Sequence, residues 1–212
     1  MKKTLPEKTD IIFINCHLAA MTDNALSITK DAALAVTRKK ISWIGKKKDL
    51  KSEYASQCQQ VIDCRDNWIL PGFVDCHTHL VWAGSRSNEF EMRLNKATYE
   101  KISKKGGGIL STVKATRKAS KDELFDLAKK RIKGFLKQGI TTLEIKSGYG
   151  LDLDSELKIL EVIEQLDKKF ALHIEATFLG AHTLPMEFMG NPDSYINLVT
   201  ETMLPKIKAQ NI

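Results

Sequence analysis

The triplet His77-Thr78-His79 carries the most chemistry of any short feature in this sequence. Two imidazoles at i and i+2 of an extended strand point the same way, and neutral imidazole is a good ligand for zinc, iron or nickel. An alternating surface strand would produce the same triplet, so spacing leaves both readings open. Three groups suited to a polar substrate follow: Arg86, Tyr149 between Gly148 and Gly150, and His182 after Gly180-Ala181. A guanidinium grips a carboxylate through two parallel hydrogen bonds, while a phenol and an imidazole hydrogen-bond polar rings. Each has a plainer reading as well. Arg86 can pair with Glu89 or Glu91, Tyr149 can cap a helix, and His182 can line a turn before Pro185.

The elements that must position these groups follow one another as strand, loop, helix, strand. Gly72 to Leu80 is a strand candidate. Ser120 followed three residues later by Glu123 is a capping-box signal. Leu124, Leu127, Ala128, Ile132, Phe135 and Leu136 then recur at helical spacing until Gly139 supplies a stop. A strand is predicted over Ile140 to Lys146, a helix near Asp154 to Asp167 with Leu157, Leu160, Ile163 and Leu166 as its stripe, and a strand over Ala171 to Leu179. The order β-α-β-α-β is that of an α/β parallel sheet. A last helical stretch covers Tyr195 to Lys208.

Parity within these strands puts Asp75, His77 and His79 on one face of the first, Thr142, Glu144 and Lys146 on one face of the second, and His173, Glu175 and Thr177 on one face of the third. Leu143, Ile145, Leu172, Ile174, Ala176 and Phe178 take the other face. Parallel strands are normally apolar on both faces, so ionisable groups on one face of all three need a reason. That reason is pairing in a barrel interior, for instance Lys146 with Glu144 or Glu175, an active site at the strand ends, or both. The long excursion from Val81 to Ser120 contains Trp82, Phe90, Ile109 and Val113 and is expected to be ordered. Gly106-Gly107-Gly108 lacks the lysine of a phosphate-binding loop and does not directly follow a strand.

Before Leu70 the signals are short β-type runs: Ile11 to Asn15, Ala33 to Thr37, Ile41 to Gly45 and Val61 to Asp63. The turn at Arg38-Lys39-Lys40 lacks the Gly or Asn that a tight hairpin prefers. Composition, 42% hydrophobic and 28% charged, is that of a globular chain. The net charge of +7 includes a cluster between Arg38 and Lys51, where seven basic residues face one acid, Asp49. Interleaving with Ile41, Trp43 and Ile44 reads as a hairpin with a solvated face rather than a nucleic-acid site. Cys16, Cys58, Cys64 and Cys76 form no CxxC and are expected as free thiols. Asn15 and His17 interrupt the apolar stretch after Ile11, and Pro6, Glu7 and Asp10 stand where a signal peptide would turn apolar. A cytoplasmic protein without a membrane partner is expected.

Ile69-Leu70-Pro71-Gly72-Phe73-Val74-Asp75-Cys76-His77-Thr78-His79-Leu80 resembles the first barrel strand of the amidohydrolase superfamily of metal-dependent hydrolases. VWAGSRSNEFEMRL (81–94), GGGILSTVKATR (106–117), EIKSGYGLD (144–152) and FLGAHTLP (178–185) are similar to one family within it, the imidazolonepropionases. The likeness runs almost continuously from about Trp68 to Pro205. It implies a (β/α)8 TIM-like barrel with a small β-sandwich domain, residues 1–70 being the N-terminal part of the sandwich and 71–212 about the first three βα units of the barrel. The implied activity is metal-dependent hydrolysis of the cyclic amide C–N bond of 4-imidazolone-5-propionate to N-formimidoyl-L-glutamate, in histidine degradation. The implied cofactor is zinc or iron, one ion per subunit, polarising the ring carbonyl and lowering the pKa of its water to about 7.

Residue by residue, His77 and His79 match the metal ligands of the first strand, while Arg86, Tyr149 and His182 match substrate-contacting positions. The family's third histidine, its metal-binding aspartate and its working glutamate come from later strands, so no catalytic residue is assigned in this chain. A barrel of this kind takes about 250 residues, more than follow Leu70 here, and three strands stand where eight are required. The chain is therefore expected to be the N-terminal half of such an enzyme, inactive by itself, the complete enzyme being a homodimer that acts on a small molecule without nucleic acid. The rival readings are a related amidohydrolase, either a deaminase or a cyclic amidase, and a non-catalytic basic fragment that binds nucleic acid.

Overall fold

The computed structural model describes residues 9–22, 24–51, 58–96, 98 and 107–210. Gly106 of the three-glycine run lies outside them. The chain divides into two compact units, Met1–Pro71 and Gly72–Ile212.

In the first unit β1 (Ile11–Ala19), β2 (Ile28–Thr37), β3 (Lys40–Lys46) and β4 (Gln60–Ile69) form one sheet in the order β3-β2-β1-β4. The β1–β2 and β2–β3 pairs are antiparallel, whereas β1 and β4 run parallel. The strands outrun their apolar cores: Ile28 pairs with Ala19, and Ile69 with Leu18. Asn15, at φ +51°, breaks the alternation of β1. Ile12 and Ile14 pack with Ala33, Ala35 and Trp43, while Phe13, Cys16 and Leu18 pack with Ala32 and Leu34. The bulge adds one residue and so keeps the apolar side chains on buried faces.

Thr37 pairs with Lys40 across a two-residue turn in which Arg38 and Lys39 take φ +50° and +63°. This left-handed geometry is the one that favours Gly or Asn, and non-Gly residues adopt it at about 1 kcal/mol each or more. The Arg38 amide donates to Asp10 Oδ2 at 2.6 Å, which helps to hold it. The basic residues of this hairpin and of the turn after it are exposed while Trp43 is buried.

The second unit is built on β5 (Phe73–Thr78), β6 (Ile140–Lys146) and β7 (His173–Thr177), parallel and in that order. Between β5 and β6 lie α1 (Ser87–Leu94), α2 (Ile109–Lys118) and α3 (Lys121–Lys137). Among the described residues, the excursion from Val81 to Ser120 thus holds two helices of its own. α4 (Leu153–Lys169) joins β6 to β7, and α5 (Pro192–Asn197) and α6 (Leu204–Ala209) follow with a π-helical stretch, Leu198–Met203, between them.

Ser120 opens α3 as expected: its Oγ accepts the Glu123 amide, and the Glu123 carboxylate accepts the Ser120 amide at 2.8 Å. Leu124, Ala128 and Ile132 of α3 and Ile159, Leu160, Ile163 and Leu166 of α4 form one buried cluster with Leu143, Ile145 and Ile174 of the sheet. The stripe of α4 turns slightly from its expected position, so that Glu156 is buried where Leu157 is only partly so. Lys158 donates to the carbonyls of Thr116, Arg117 and Ala119 and so closes the C-terminus of α2.

One expected alignment is corrected. The register slips between Asp75 and Thr78, so that Asp75 stands in register with Leu143 and Thr78 with Ile145. Partners in a parallel ladder share a face, which puts Asp75 on the face of the apolar Leu143 and leaves His77 and His79, on either side of Thr78, on the face of Glu144 and Lys146. Asp75 therefore does not share a face with the two histidines.

Ser120→Ala removes the oxygen that caps α3. It is expected to lower the unfolding free energy by about 1 kcal/mol, read from urea titration with an unchanged m value.

Candidate functional site

Four of the five residues singled out in the sequence come together at the C-terminal end of β5. The ring centroids of His79 and Tyr149 are 4.9 Å apart, those of His79 and His182 4.9 Å, those of Tyr149 and His182 5.9 Å, and those of His77 and His79 6.1 Å. Arg86 stands outside this ring cluster. It is the residue before α1, its Nε donates to Glu89 Oε2 at 2.9 Å, and with Glu89, Phe90 and Arg93 it lines a cavity of about 280 Å³.

Each ring is held by identifiable bonds. The Thr78 hydroxyl, between the two histidines, donates to the Glu144 carbonyl at 2.6 Å. Just beyond His79, the Arg131 guanidinium donates to the carbonyls of Leu80 and Trp82 and lies 3.6 Å over the Trp82 ring. Tyr149 sits in the loop from Ser147 to Leu151, where Glu156 accepts the amides of Gly148, Gly150 and Leu151. Gly148 has φ +104°, and a Cβ there would lie 2.8 Å from the Leu179 carbonyl and 2.9 Å from His182 Cβ. A side chain at 148 would therefore part the loops that carry Tyr149 and His182.

His182 ends a short 3-10 turn, Gly180–His182, which the buried Tyr195 pins by donating its hydroxyl to the Gly180 carbonyl at 2.5 Å. Arg117 braces the whole rim, bonding the Gly150 carbonyl, Asp152 and Glu187. Glu89 plays a matching part for Arg86: one oxygen takes the guanidinium while the other accepts the Gly108 amide at 2.7 Å.

On the inner face of β6, Lys146 and Glu144 form an ion pair, both largely buried. Burial works to raise the Glu144 carboxyl, but Lys146, by hydrogen bond and charge, together with hydrogen bonds from Thr177 and Thr78, outweighs it and holds the carboxyl below the usual range. The facing residues of β7, His173 and Glu175, pair at 2.8 Å in solvent. Burial first, and then His182, His77 and Lys146, push the His79 pKa down to about 4. His79 is thus neutral at pH 7, and its Nδ1 is buried with no hydrogen-bond partner among the described residues. A neutral imidazole with an unengaged buried nitrogen fits a metal ligand. Among the described residues no group of three or more His, Cys, Asp or Glu is placed to hold an ion.

The sequence points to Glu89 as a partner of Arg86 but not to Glu156, Arg117 or Tyr195 as parts of the rim. Glu156 had a signal, since a carboxylate three and four residues before Ile159 and Leu160 stands on the apolar stripe of α4. Arg117 and Tyr195 had none, because their partners are distant in sequence.

No protein-family model matches the sequence. Curated proteins do: it is 46% identical to the imidazolonepropionase of Shewanella piezotolerans over 96% of this chain and 50% of that protein. It is 46% identical to that of Colwellia psychrerythraea over 99% of this chain and 51% of the relative, and 47% identical to that of Brucella anthropi over 98% and 51%. The chain spans about half the length of the curated relatives it matches. Among solved structures, an atrazine chlorohydrolase from Arthrobacter aurescens TC1 complexed with zinc matches with a TM-score of 0.51 at 18% identity, over 79% of this chain and 35% of that one. A triazine hydrolase from the same species matches with a TM-score of 0.50 at 18% identity, over 80% and 35%. These structural likenesses show the fold alone, a mixed α/β one. No helix among the described residues is long and apolar enough to cross a membrane.

The lowered pKa of His79 makes a pH prediction for the metal-free chain. The unfolded chain, with its ordinary value of 6.5, binds this proton more readily than the folded one at about 4. The stability that comes from a neutral His79 is complete above pH 6.5, is lost as the pH falls toward 4 and changes no further below. Urea titrations with chelator present should show unfolding free energy declining through that window, and declining less in His79→Asn. Equal slopes in the two proteins would assign the decline to other groups.

Proposed function

We propose that the chain is of the imidazolonepropionase family, to whose curated members it is 46–47% identical over about half their length, and that its rim serves the hydrolytic opening of 4-imidazolone-5-propionate to N-formimidoyl-L-glutamate, a step of histidine degradation. The observation that carries this reading is the meeting of His77, His79, Tyr149 and His182 in one cluster. In this reading β5, β6 and β7 with α3 and α4 are the first part of a (β/α)8 barrel, residues 71–212, and β1 to β4 are part of a small β-sandwich, residues 1–70. The complete enzyme is a cytoplasmic homodimer.

His77 and His79 would hold a divalent metal, zinc or iron; zinc accompanies the structurally similar atrazine chlorohydrolase. When bound, the metal supplies Lewis acidity toward the ring carbonyl. Arg86 grips the propionate carboxylate. Its Nε is taken by Glu89, which fixes the plane of the fork while the terminal nitrogens do the binding. Tyr149 and His182 hydrogen-bond the polar ring and set its orientation, and their close approach to His79 puts that ring beside the metal ligands. Two imidazoles fall short of the three protein ligands usual at a catalytic zinc. The 212-residue chain by itself is therefore expected to bind zinc weakly and to leave imidazolonepropionate unchanged, as read by its absorbance.

The direct test is a chimera in which this chain replaces the matching half of the Shewanella piezotolerans enzyme. It should consume imidazolonepropionate when loaded with metal. A chimera that instead hydrolyses guanine, cytosine or hydantoin would assign the rim to a related amidohydrolase. In the active chimera, Arg86→Lys keeps the charge but loses the fork, and should raise KM on the order of tenfold with a smaller effect on kcat. Unchanged kinetics would remove Arg86 from the substrate site.

A further inference from the structure

We infer that Glu156 is the positioning residue for Tyr149, and through it for the spacing between Tyr149 and His182. The inference rests on the reading of Tyr149 as a substrate contact but is observable without substrate. Glu156 lies in the first turn of α4 and is fully buried. A buried carboxylate persists only where hydrogen bonds replace its water, and here the replacements are backbone amides of a single loop. Gly148 donates at 3.0 Å to one oxygen, and Gly150 and Leu151 each donate at 2.8 Å to the other. Two of these donors flank Tyr149. The backbone on both sides of the phenol is thereby clamped to one helix, leaving the side-chain torsions as its remaining freedom.

The clamp also explains two strained features. Leu151 takes φ +58°, a left-handed conformation that an L-residue adopts at a cost of about 1 kcal/mol or more. In that conformation its amide reaches Glu156. Gly150 passes so close to α4 that a Cβ would lie 2.6 Å from the Glu156 amide nitrogen. The start of α4 already has its own cap, since Asp152 accepts the Ser155 amide at 2.7 Å. Glu156 is therefore not needed to begin the helix. Its carboxylate serves the loop, and because Gly148 abuts Leu179 and His182, the position of the loop sets the gap between the two rim residues.

The test labels the tyrosines of the full chain with 3-fluorotyrosine and follows them by fluorine NMR, without metal or substrate. Tyr149→Phe and Tyr195→Phe identify the two signals. Packed against His79 and edge-on to His182, Tyr149 is expected to give a single signal displaced by their ring currents. In Glu156→Gln the amide group can accept but also points donors at donors. The Tyr149 signal should move toward the position of an exposed tyrosine and broaden, while the signal of Tyr195, which feels the Glu156 charge but keeps its buried place, stays sharp. Should the glutamine variant not fold, Glu156→Asp, which retracts the charge by one methylene, is read in the same way. A Tyr149 signal that neither moves nor broadens, or broadening that Tyr195 shares, would overturn the inference and leave Glu156 a general structural residue. Failure of the substrate reading would look different: Tyr149→Phe in the chimera would leave KM and kcat unchanged while the fluorine result still held.

Discussion

Burial of Leu143, Ile145 and Ile174 against α3 and α4 is the constraint on which the rest of the second unit depends. Burying a large aliphatic side chain contributes roughly 1.5–3 kcal/mol, so the sheet cannot turn that face outward. Because side chains alternate with a period of two, the same burial commits Thr142, Glu144 and Lys146 to the opposite face. Charges on a half-enclosed face must pair, and Lys146 with Glu144 does so. The slip of register in β5 then adds His77 and His79 to this polar face rather than to the apolar one. A site at the strand ends follows from apolar packing on the other side of the sheet.

The loops that complete the rim are organised by a second device, the buried or half-buried polar group that gathers backbone atoms. Glu156 takes three amides, Glu89 takes an amide and the guanidinium of Arg86, and Tyr195 and Arg117 take carbonyls. Loops lack the repeating ladder of helix and sheet, and their buried amides and carbonyls must be satisfied one at a time. The bonds of Glu156 and Tyr195 also fix the loops that carry Tyr149 and His182 into the cluster. Stability and geometry of the rim are thus two aspects of the same few contacts, and glycines at 148 and 150 are what let the backbones come close enough to make them.

Much of this was legible beforehand where the cause is local. The capping box at Ser120, the strand Ile140–Lys146 and the stripe of α3 follow from residues within a few positions of one another. The hairpin at Arg38 was less legible, since its left-handed residues are Arg and Lys where Gly or Asn is favoured. The parity of Asp75 with His77 and His79 was misread because a strand carries no mark of a bulge that is set by its neighbour's register. Arg86 beside Glu89 was among the readings available, yet which residues besides the guanidinium hold that carboxylate was not.

By itself the sequence determined the kinds of group available for chemistry, the α/β order of elements and, through its long motifs, the resemblance to one family. These depend on residue type and short spacing, to which backbone sterics and hydrophobic periodicity respond directly. Tertiary structure alone decided that β4 lies parallel to β1, that His79 meets Tyr149 and His182, and that Glu156 closes on the loop between β6 and α4. Those outcomes depend on which distant segments share one buried space. The need to satisfy every polar group enclosed there becomes specific only when the chain has folded around it.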